Sequence, residues 1–154
     1  METLIYTAFV GMIMGSMVLL ASTAFTVRSK LRASIVLEQN VRFAVTRVTS
    51  VVSEASGITK PALGTSSSTI VLTTTVASTN PTTIRNTGGI ITITEGATGT
   101  AQTLSSSEVS FSNFSFTRVS STAAMVRVVA SGALRNAAAS YATLTVTTTA
   151  AVRR

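Results

Sequence analysis

The sequence contains no histidine, cysteine, tryptophan or aspartate. Metal sites are usually built from His, Cys or clustered carboxylates, and catalysis at neutral pH needs a His or a tuned carboxylate pair. The five acidic residues are all glutamates, far apart in the sequence, and a Ser or Thr nucleophile would have only Lys30 or Lys60 as a base. We therefore predict that the protein is not an enzyme and uses no cofactor or metal. Disulfides are excluded as well, since there is no cysteine.

Acidic residues are few relative to basic ones. Twelve Lys and Arg residues face five glutamates, which gives a formal net charge of +7. The ten arginines are scattered rather than clustered, which argues against a dedicated nucleic-acid site. A basic surface nevertheless attracts anionic polymers, so we expect nonspecific attraction to host-cell surfaces or DNA.

Charge is missing entirely from the segment Thr3–Val27, which contains 25 residues. As an α-helix this segment would be roughly 37 Å long, enough to span a hydrocarbon core of about 30 Å. It is apolar on all sides, so it must be buried on every side, either by lipid or by copies of the same helix. Residues 1–27 are predicted to form a transmembrane or filament-core helix.

Three interpretations of this apolar segment compete. A secretory signal peptide would begin with a basic region, whereas this chain begins Met1-Glu2, although residues 21–24 resemble a cleavage site. A single-pass membrane anchor fits the length, and the basic residues at 28–32 would then place the C-terminal side in the cytoplasm. The third interpretation is a helix that anchors the chain before assembly and forms the filament core afterwards.

Residues 28–56 are predicted to continue the helix in amphipathic form. Apolar residues recur three or four positions apart, as one face of a helix requires: Leu31, Ile35, Val41, Ala44, Val45, Val48, Val52 and Ala55. Gly57 is a plausible C-cap and Pro61 prevents further continuation. A helix over residues 1–56 would be about 80 Å long. Only its second half can pack on a globular domain, so its first half must protrude.

Residues 57–154 are predicted to form a Ser/Thr-rich antiparallel β head domain of about five to seven strands in one sheet. The alternation of side chains that is typical of strands begins near Ser68, and Asn86-Thr87-Gly88-Gly89 separates the two arms of a hairpin. In a later strand Val109 and Phe111 are predicted to lie on one face. Phe114 and Phe116 are predicted to be among the alternate residues, which lie on the opposite face. The last two strands are placed at 125–130 and 141–149, around a loop containing Gly132.

The N-terminus resembles the start of a mature type IV pilin. In that family a glutamate lies inside the apolar helix and a glycine follows nine positions later, as Gly11 follows Glu2 here. The resemblance implies that about three residues, beginning with a methylated Phe, and a short leader ending in Gly precede Met1. It implies an α+β pilin fold: one long protruding N-terminal helix, packed by its C-terminal half on an antiparallel sheet. The chain departs from many pilins in lacking a C-terminal cysteine pair and a proline before Pro61.

The resemblance also assigns roles to individual residues. A charge within a membrane costs about 2.5–3.5 kcal/mol unless paired, so Glu2 is expected to be retained for a function. In the family that function is assembly, because the glutamate pairs with the N-terminal amine of the neighbouring subunit. Gly11 and Gly15 lie four residues apart, either to allow close helix packing or to give a weak point where the helix unwinds.

The function implied is a structural subunit of an extracellular type IV pilus-like helical filament that supports adhesion or motility. The expected partners are further copies of the chain, the inner membrane before assembly and the pilus assembly machinery. The expected location is the cell surface. The alternatives are a minor pilin, a secretion-system pseudopilin, or a membrane-anchored adhesive β-domain that never polymerises.

Overall fold

The computed structural model describes residues 2–120, 124–135 and 143–153. These residues form one α-helix followed by nine strands and a short 3₁₀ helix. In chain order the elements are α1 (Glu2–Glu54), β1 (Gly57–Lys60), β2 (Ser66–Ser67), β3 (Thr69–Thr73), the 3₁₀ helix (Ala77–Thr79), β4 (Thr82–Thr87), β5 (Ile90–Glu95), β6 (Gln102–Thr103), β7 (Val109–Ser120), β8 (Met125–Leu134) and β9 (Leu144–Ala151). The fold is α+β, with a long N-terminal helix packed by its C-terminal part on antiparallel strands.

The helix α1 is continuous over 53 residues, as the absence of proline before Pro61 predicts. At 1.5 Å per residue it is about 80 Å long. The buried face includes Leu37 and Val41, while the residues from Glu2 to Ile35 make no packing contact that buries them. The protruding first half of the helix is therefore confirmed.

The buried face of α1 begins later than the apolar spacing predicts. Leu31 and Ile35 are 60% and 53% exposed, so their predicted packing on the head is wrong. Apolar spacing identifies a face that needs a partner but does not say whether the partner belongs to the same chain. The residues of α1 that are buried on the head are Leu37, Val41, Ala44, Val45, Val48, Val51 and Val52.

The strands form two sheets, whereas the sequence predicts one. The five-stranded sheet has the order β1-β3-β4-β5-β6, and the four-stranded sheet has the order β2-β7-β8-β9. The difference arises from β1, β2 and β6, which are two to four residues long and too short to show a periodicity. The helix packs on β8 and β9, and the five-stranded sheet contacts the four-stranded one along β7. Buried residues of the helix and both sheets form one hydrophobic core.

The predicted hairpin is confirmed as β4 and β5. Thr87 pairs with Ile90, so the loop consists of Gly88 and Gly89 alone. Both glycines have positive φ values, 60° and 80°, which a two-residue loop of this kind requires. The hairpin also reaches the other sheet, because the amide of Phe111 donates to the carbonyl of Gly89 at 3.0 Å.

The predicted alternation in β7 is wrong at one position. Phe111 is paired with Gly132 and Asn113 with Ser131, so Ser112 is an extra residue in a β-bulge. The bulge shifts the phase of the strand by one residue. Phe111 and Phe114 therefore point to the same buried face instead of opposite faces.

Gly132 lies inside β8 and not in a loop, which corrects the sequence prediction. A Cβ at this position would lie 3.0 Å from Cγ2 of Val41 and 3.3 Å from Cγ1 of Val109. The missing side chain lets α1 approach the sheet closely. The last strand, β9, begins at Leu144; the predicted strand start at Tyr141 lies outside the described residues.

The substitution Gly132→Val is expected to destabilise the head by about 1–3 kcal/mol, because it overpacks the contact between α1 and β8. Urea unfolding of the full chain in detergent measures this loss. The matched control is Ala133→Val, on the opposite face of the same strand, which is expected to change stability by less than about 0.5 kcal/mol. Equal losses in the two variants would contradict the close approach at Gly132.

Candidate assembly surface

None of the first 35 described residues of α1 is buried in the head. We call residues 2–36 the stem. Each residue of the stem is exposed except Ala33 and Val36, which are half-buried. A helix with an apolar surface on all sides is stable only where lipid or protein covers that surface. The stem is therefore the part of this molecule whose chemistry demands an interaction.

The large apolar side chains of the stem are exposed to between 51% and 77%. Full burial of one such side chain contributes about 1.5–3 kcal/mol relative to exposure. Most lie in the uncharged segment that ends at Val27. The set is Leu4, Ile5, Tyr6, Phe9, Val10, Met12, Ile13, Met14, Met17, Val18, Leu19, Leu20, Phe25, Val27, Leu31 and Ile35.

Six hydroxyl groups of the stem donate to its own backbone. Ser16 Oγ donates to the carbonyl of Ile13 at 2.8 Å, and Thr26 Oγ1 donates to that of Ser22 at 2.8 Å. The same pattern holds for Thr7, Ser22, Thr23 and Ser29. These bonds satisfy the hydroxyls without water, so the stem can enter a dry environment. The sequence analysis missed this role, although a Ser or Thr inside an uncharged helix is itself the signal.

Glu2 lies in the first described turn of α1, in the part of the stem farthest along the helix from the head. Its side chain is exposed, and none of the described residues pairs with its carboxylate. The negative charge interacts favourably with the helix dipole at this end. The carboxylate of Glu2 is therefore on the surface of the stem, where another molecule can reach it.

Gly11 and Gly15 lie within the continuous helix and do not interrupt it. A Cβ added at either position would find nothing within 4 Å. Neither glycine therefore serves packing inside this chain. Both leave shallow points on the stem where a second helix can approach closely.

Gly57 does not cap the helix, which corrects the sequence prediction. The helix ends at Glu54, and Gly57 is the first residue of β1, paired with Thr73. The chain leaves the helix through Ser56, whose amide donates to the carbonyl of Thr73 at 2.8 Å. Pairing with β3 therefore starts before a left-handed cap can form, and Gly57 is absent from the glycines with positive φ.

Three exposed cations mark the point where the uncharged part of the stem ends. Arg28, Lys30 and Arg32 follow Val27 directly. Long cationic side chains at this position favour the polar boundary of a membrane. Leu31 and Ile35, one turn apart on the helix, lie at and beyond this boundary and are still exposed.

By length and composition α1 can cross a membrane, and none of its most apolar stretch is buried in the molecule. The combination of this helix with an antiparallel head agrees with the pilin fold that the N-terminal residues imply. No protein-family model matches the sequence, and no match is found among curated proteins or among solved structures.

Proposed function

We propose that this protein is the structural subunit, the pilin, of an extracellular type IV pilus-like filament. The observation that carries the proposal is the stem, an apolar helix exposed on all sides and attached to a folded head. Stems from many copies would form a helical bundle, and the heads would coat it. Before assembly the same stem would hold the chain in the inner membrane, from which the assembly machinery takes it up.

Leu31 and Ile35 favour a filament over a simple membrane anchor. The uncharged segment already spans about 37 Å at the helical rise, more than the hydrocarbon core needs. A bilayer that covers this segment leaves Leu31 and Ile35 outside, and they are 60% and 53% exposed on the head side of Arg28. A bundle of helices continues past the cations and covers both residues.

The alternatives use the same parts, both the two that belong to the same class and the adhesive β-domain, which belongs to a different class. A minor pilin or a secretion-system pseudopilin would place a few copies of this stem at the start of a filament. A non-polymerising adhesive β-domain would use the stem as an anchor only. In each case the head is basic, because it contributes net positive charge to the +7 of the chain. It would therefore attract anionic cell surfaces or DNA without specificity.

The test replaces Leu31 and Ile35 together by glutamine, which keeps helix propensity and removes apolar surface. In cells that assemble the wild-type chain, we expect filaments to fall at least about tenfold, since two apolar side chains together contribute about 3 kcal/mol or more to burial. Membrane retention before assembly should not change, because the span ending at Val27 is intact. Negative-stain electron microscopy of sheared material counts the filaments.

The matched control carries the same change on the head, at Leu63 and Val76, which are 53% and 57% exposed. This pair lies outside the stem, so filaments of normal abundance and width are expected. If the stem variant forms normal filaments, and neither the stem variant nor the control gives isolated particles, the packing of the stem beyond the cations is contradicted. Isolated particles from the wild-type chain itself would instead support the anchored adhesive domain.

A further inference from the structure

The edges of the two sheets differ in how their backbone groups are covered. An uncovered edge strand presents a row of free N–H and C=O groups to which another strand can add. Folded proteins usually block such edges with charges, proline, bulges or covering segments.

Neither edge of the five-stranded sheet offers a long regular strand, since β1 has four residues with a register shift and β6 has only two. At β1, Nη1 of Arg118 donates to the carbonyl of Ile58 at 3.3 Å. At β5, the short strand β6 covers two residues, and the amide of Leu104 donates to the carbonyl of Ile91 at 2.8 Å. The amide of Ile91 in turn donates to Oγ of Ser105 at 3.1 Å.

One edge of the four-stranded sheet is blocked in a similar way. The strand β2 covers β7 at Phe116 and Thr117. Further along β7, the amide of Phe111 donates to the carbonyl of Gly89 at 3.0 Å. The carbonyl of Phe111 accepts from Nδ2 of Asn86 at 3.1 Å. The hairpin of the other sheet thus closes this edge.

The remaining edge, on β9, has none of these protections. The strand pairs with β8 over eight residues with no register shift, and no described residue pairs with its other side. Its sequence, LTVTTTAA, contains no charge, proline or glycine. Its side chains alternate regularly, with Thr145, Thr147 and Thr149 exposed. This strand is long, neutral and paired with β8 without a bulge, as a strand open to addition should be.

The core beneath β9 is also incomplete. Leu144 and Val146 point towards the hydrophobic core and pack against it, but each is only half-buried. On the neighbouring strand β8, Val126 and Val128 point to the same core and are fully buried. A strand added to β9 would cover the exposed flank of Leu144 and Val146, so the edge has an apolar as well as a hydrogen-bonding reason to be paired.

We propose that the free edge of β9 pairs antiparallel with β9 of a second copy of this chain, which joins two four-stranded sheets into one. The other described edge strands have two to four residues, so β9, with eight, is the longest regular edge that a second copy has to offer. A contact between identical edges is two-fold symmetric. The strand carries no charge, so two copies with a net charge of +7 each meet where repulsion is small.

The alternation of side chains restricts the register of this pairing. Directly opposite residues of antiparallel strands lie on the same face of a sheet. The two-fold axis must therefore pass midway between one residue and its own copy, and the two central choices for this residue are Thr147 and Thr148. The first places Thr147 opposite itself, and the second places Thr147 opposite Thr149. Both align threonines across the junction, a favourable cross-strand pair. The contact uses the head only and does not depend on whether the stem forms filaments.

Cysteine cross-linking of the full chain in detergent tests the proposal, because the wild-type chain has no cysteine. We expect a short bis-maleimide to cross-link either Thr147→Cys with itself or a mixture of Thr147→Cys and Thr149→Cys. The expected rate is at least about tenfold above that of Thr103→Cys. Thr103 is a matched control, since it is also an exposed threonine on an outermost strand. Rates equal to the control for both pairings would overturn the proposal.

A charge exchange at the same position supplies a second readout. In the Thr147→Glu and Thr147→Lys variants like charges lie directly opposite each other in the first register and on a diagonal across the junction in the second, so each variant alone should form about fivefold fewer dimers. An equimolar mixture of the two should recover the wild-type level, as measured by mass photometry. Circular dichroism checks that both variants fold. Folded variants whose mixture shows no recovery would overturn the pairing of β9 with itself.

Discussion

Replacing Phe114 with alanine is expected to lower the free energy of unfolding of the head by about 3–5 kcal/mol. Phe114 is 2% exposed, and its ring lies edge-on to those of Phe111 and Phe116, with centroids 5.7 and 5.2 Å away. The substitution removes a large buried side chain and two aromatic contacts at once. The head has no disulfide to limit the loss, since the chain contains no cysteine.

Thermal unfolding of the full chain in detergent, followed by the far-ultraviolet signal of the strands, measures this effect. For a domain of this size the midpoint should fall by more than about 10 °C. The control is Phe43→Ala, which removes the same ring from an exposed position on α1, where Phe43 is 61% exposed. A change below about 0.5 kcal/mol is expected there. Equal losses for the two phenylalanines would contradict the placement of Phe114 at the centre of the core.

The helix was predictable because its signals are local. An uncharged segment, apolar spacing of three or four residues and the absence of proline before Pro61 together predict one unbroken helix. The hairpin of β4 and β5 was predictable for the same reason, since adjacent glycines between two alternating runs define a turn. In both cases the residues that determine the structure are neighbours in the sequence.

The features that the sequence did not predict depend on distant residues. The bulge at Ser112 follows from the register of β7 against β8, which no periodicity within β7 encodes. The place of Gly132 inside β8 follows from its contact with Val41, 91 positions away by the numbering. The division into two sheets depends on strands as short as two residues, whose pairing is set by the rest of the fold.

The exposure of Leu31 and Ile35 shows how far the assembly surface can be predicted from the sequence. Their spacing shows that one face of the helix needs an apolar partner. Whether the head or another molecule provides it depends on where the head begins along the helix, and the structure places that point at Leu37. The distance of Glu2 from the head could be predicted, because it follows from the continuity of the helix alone.

Replacing Glu2 with alanine is expected to abolish filaments while the chain stays in the membrane. The uncharged segment is unchanged in this variant, so insertion should be at least as favourable as in the wild type. What is lost is the one acidic group at the exposed tip of the stem, where the N-terminal amine of a neighbouring subunit would pair with it in a dry environment. A charge pair of this kind sets the register of an incoming subunit more strictly than apolar contacts do, because apolar packing tolerates sliding along the axis.

Membrane fractionation and negative-stain electron microscopy of the same cells separate the two properties. The Glu2→Gln variant retains the shape of the side chain and removes its charge, so it should behave like Glu2→Ala if the ion pair is what matters. The control is Glu38→Ala. Oε1 of Glu38 lies 2.8 Å from Nε of Arg42, and this ion pair is on the helix surface. An exposed pair of this type contributes little, and filaments should persist. Abundant filaments of normal width from Glu2→Ala would show that the carboxylate does not position the incoming subunit.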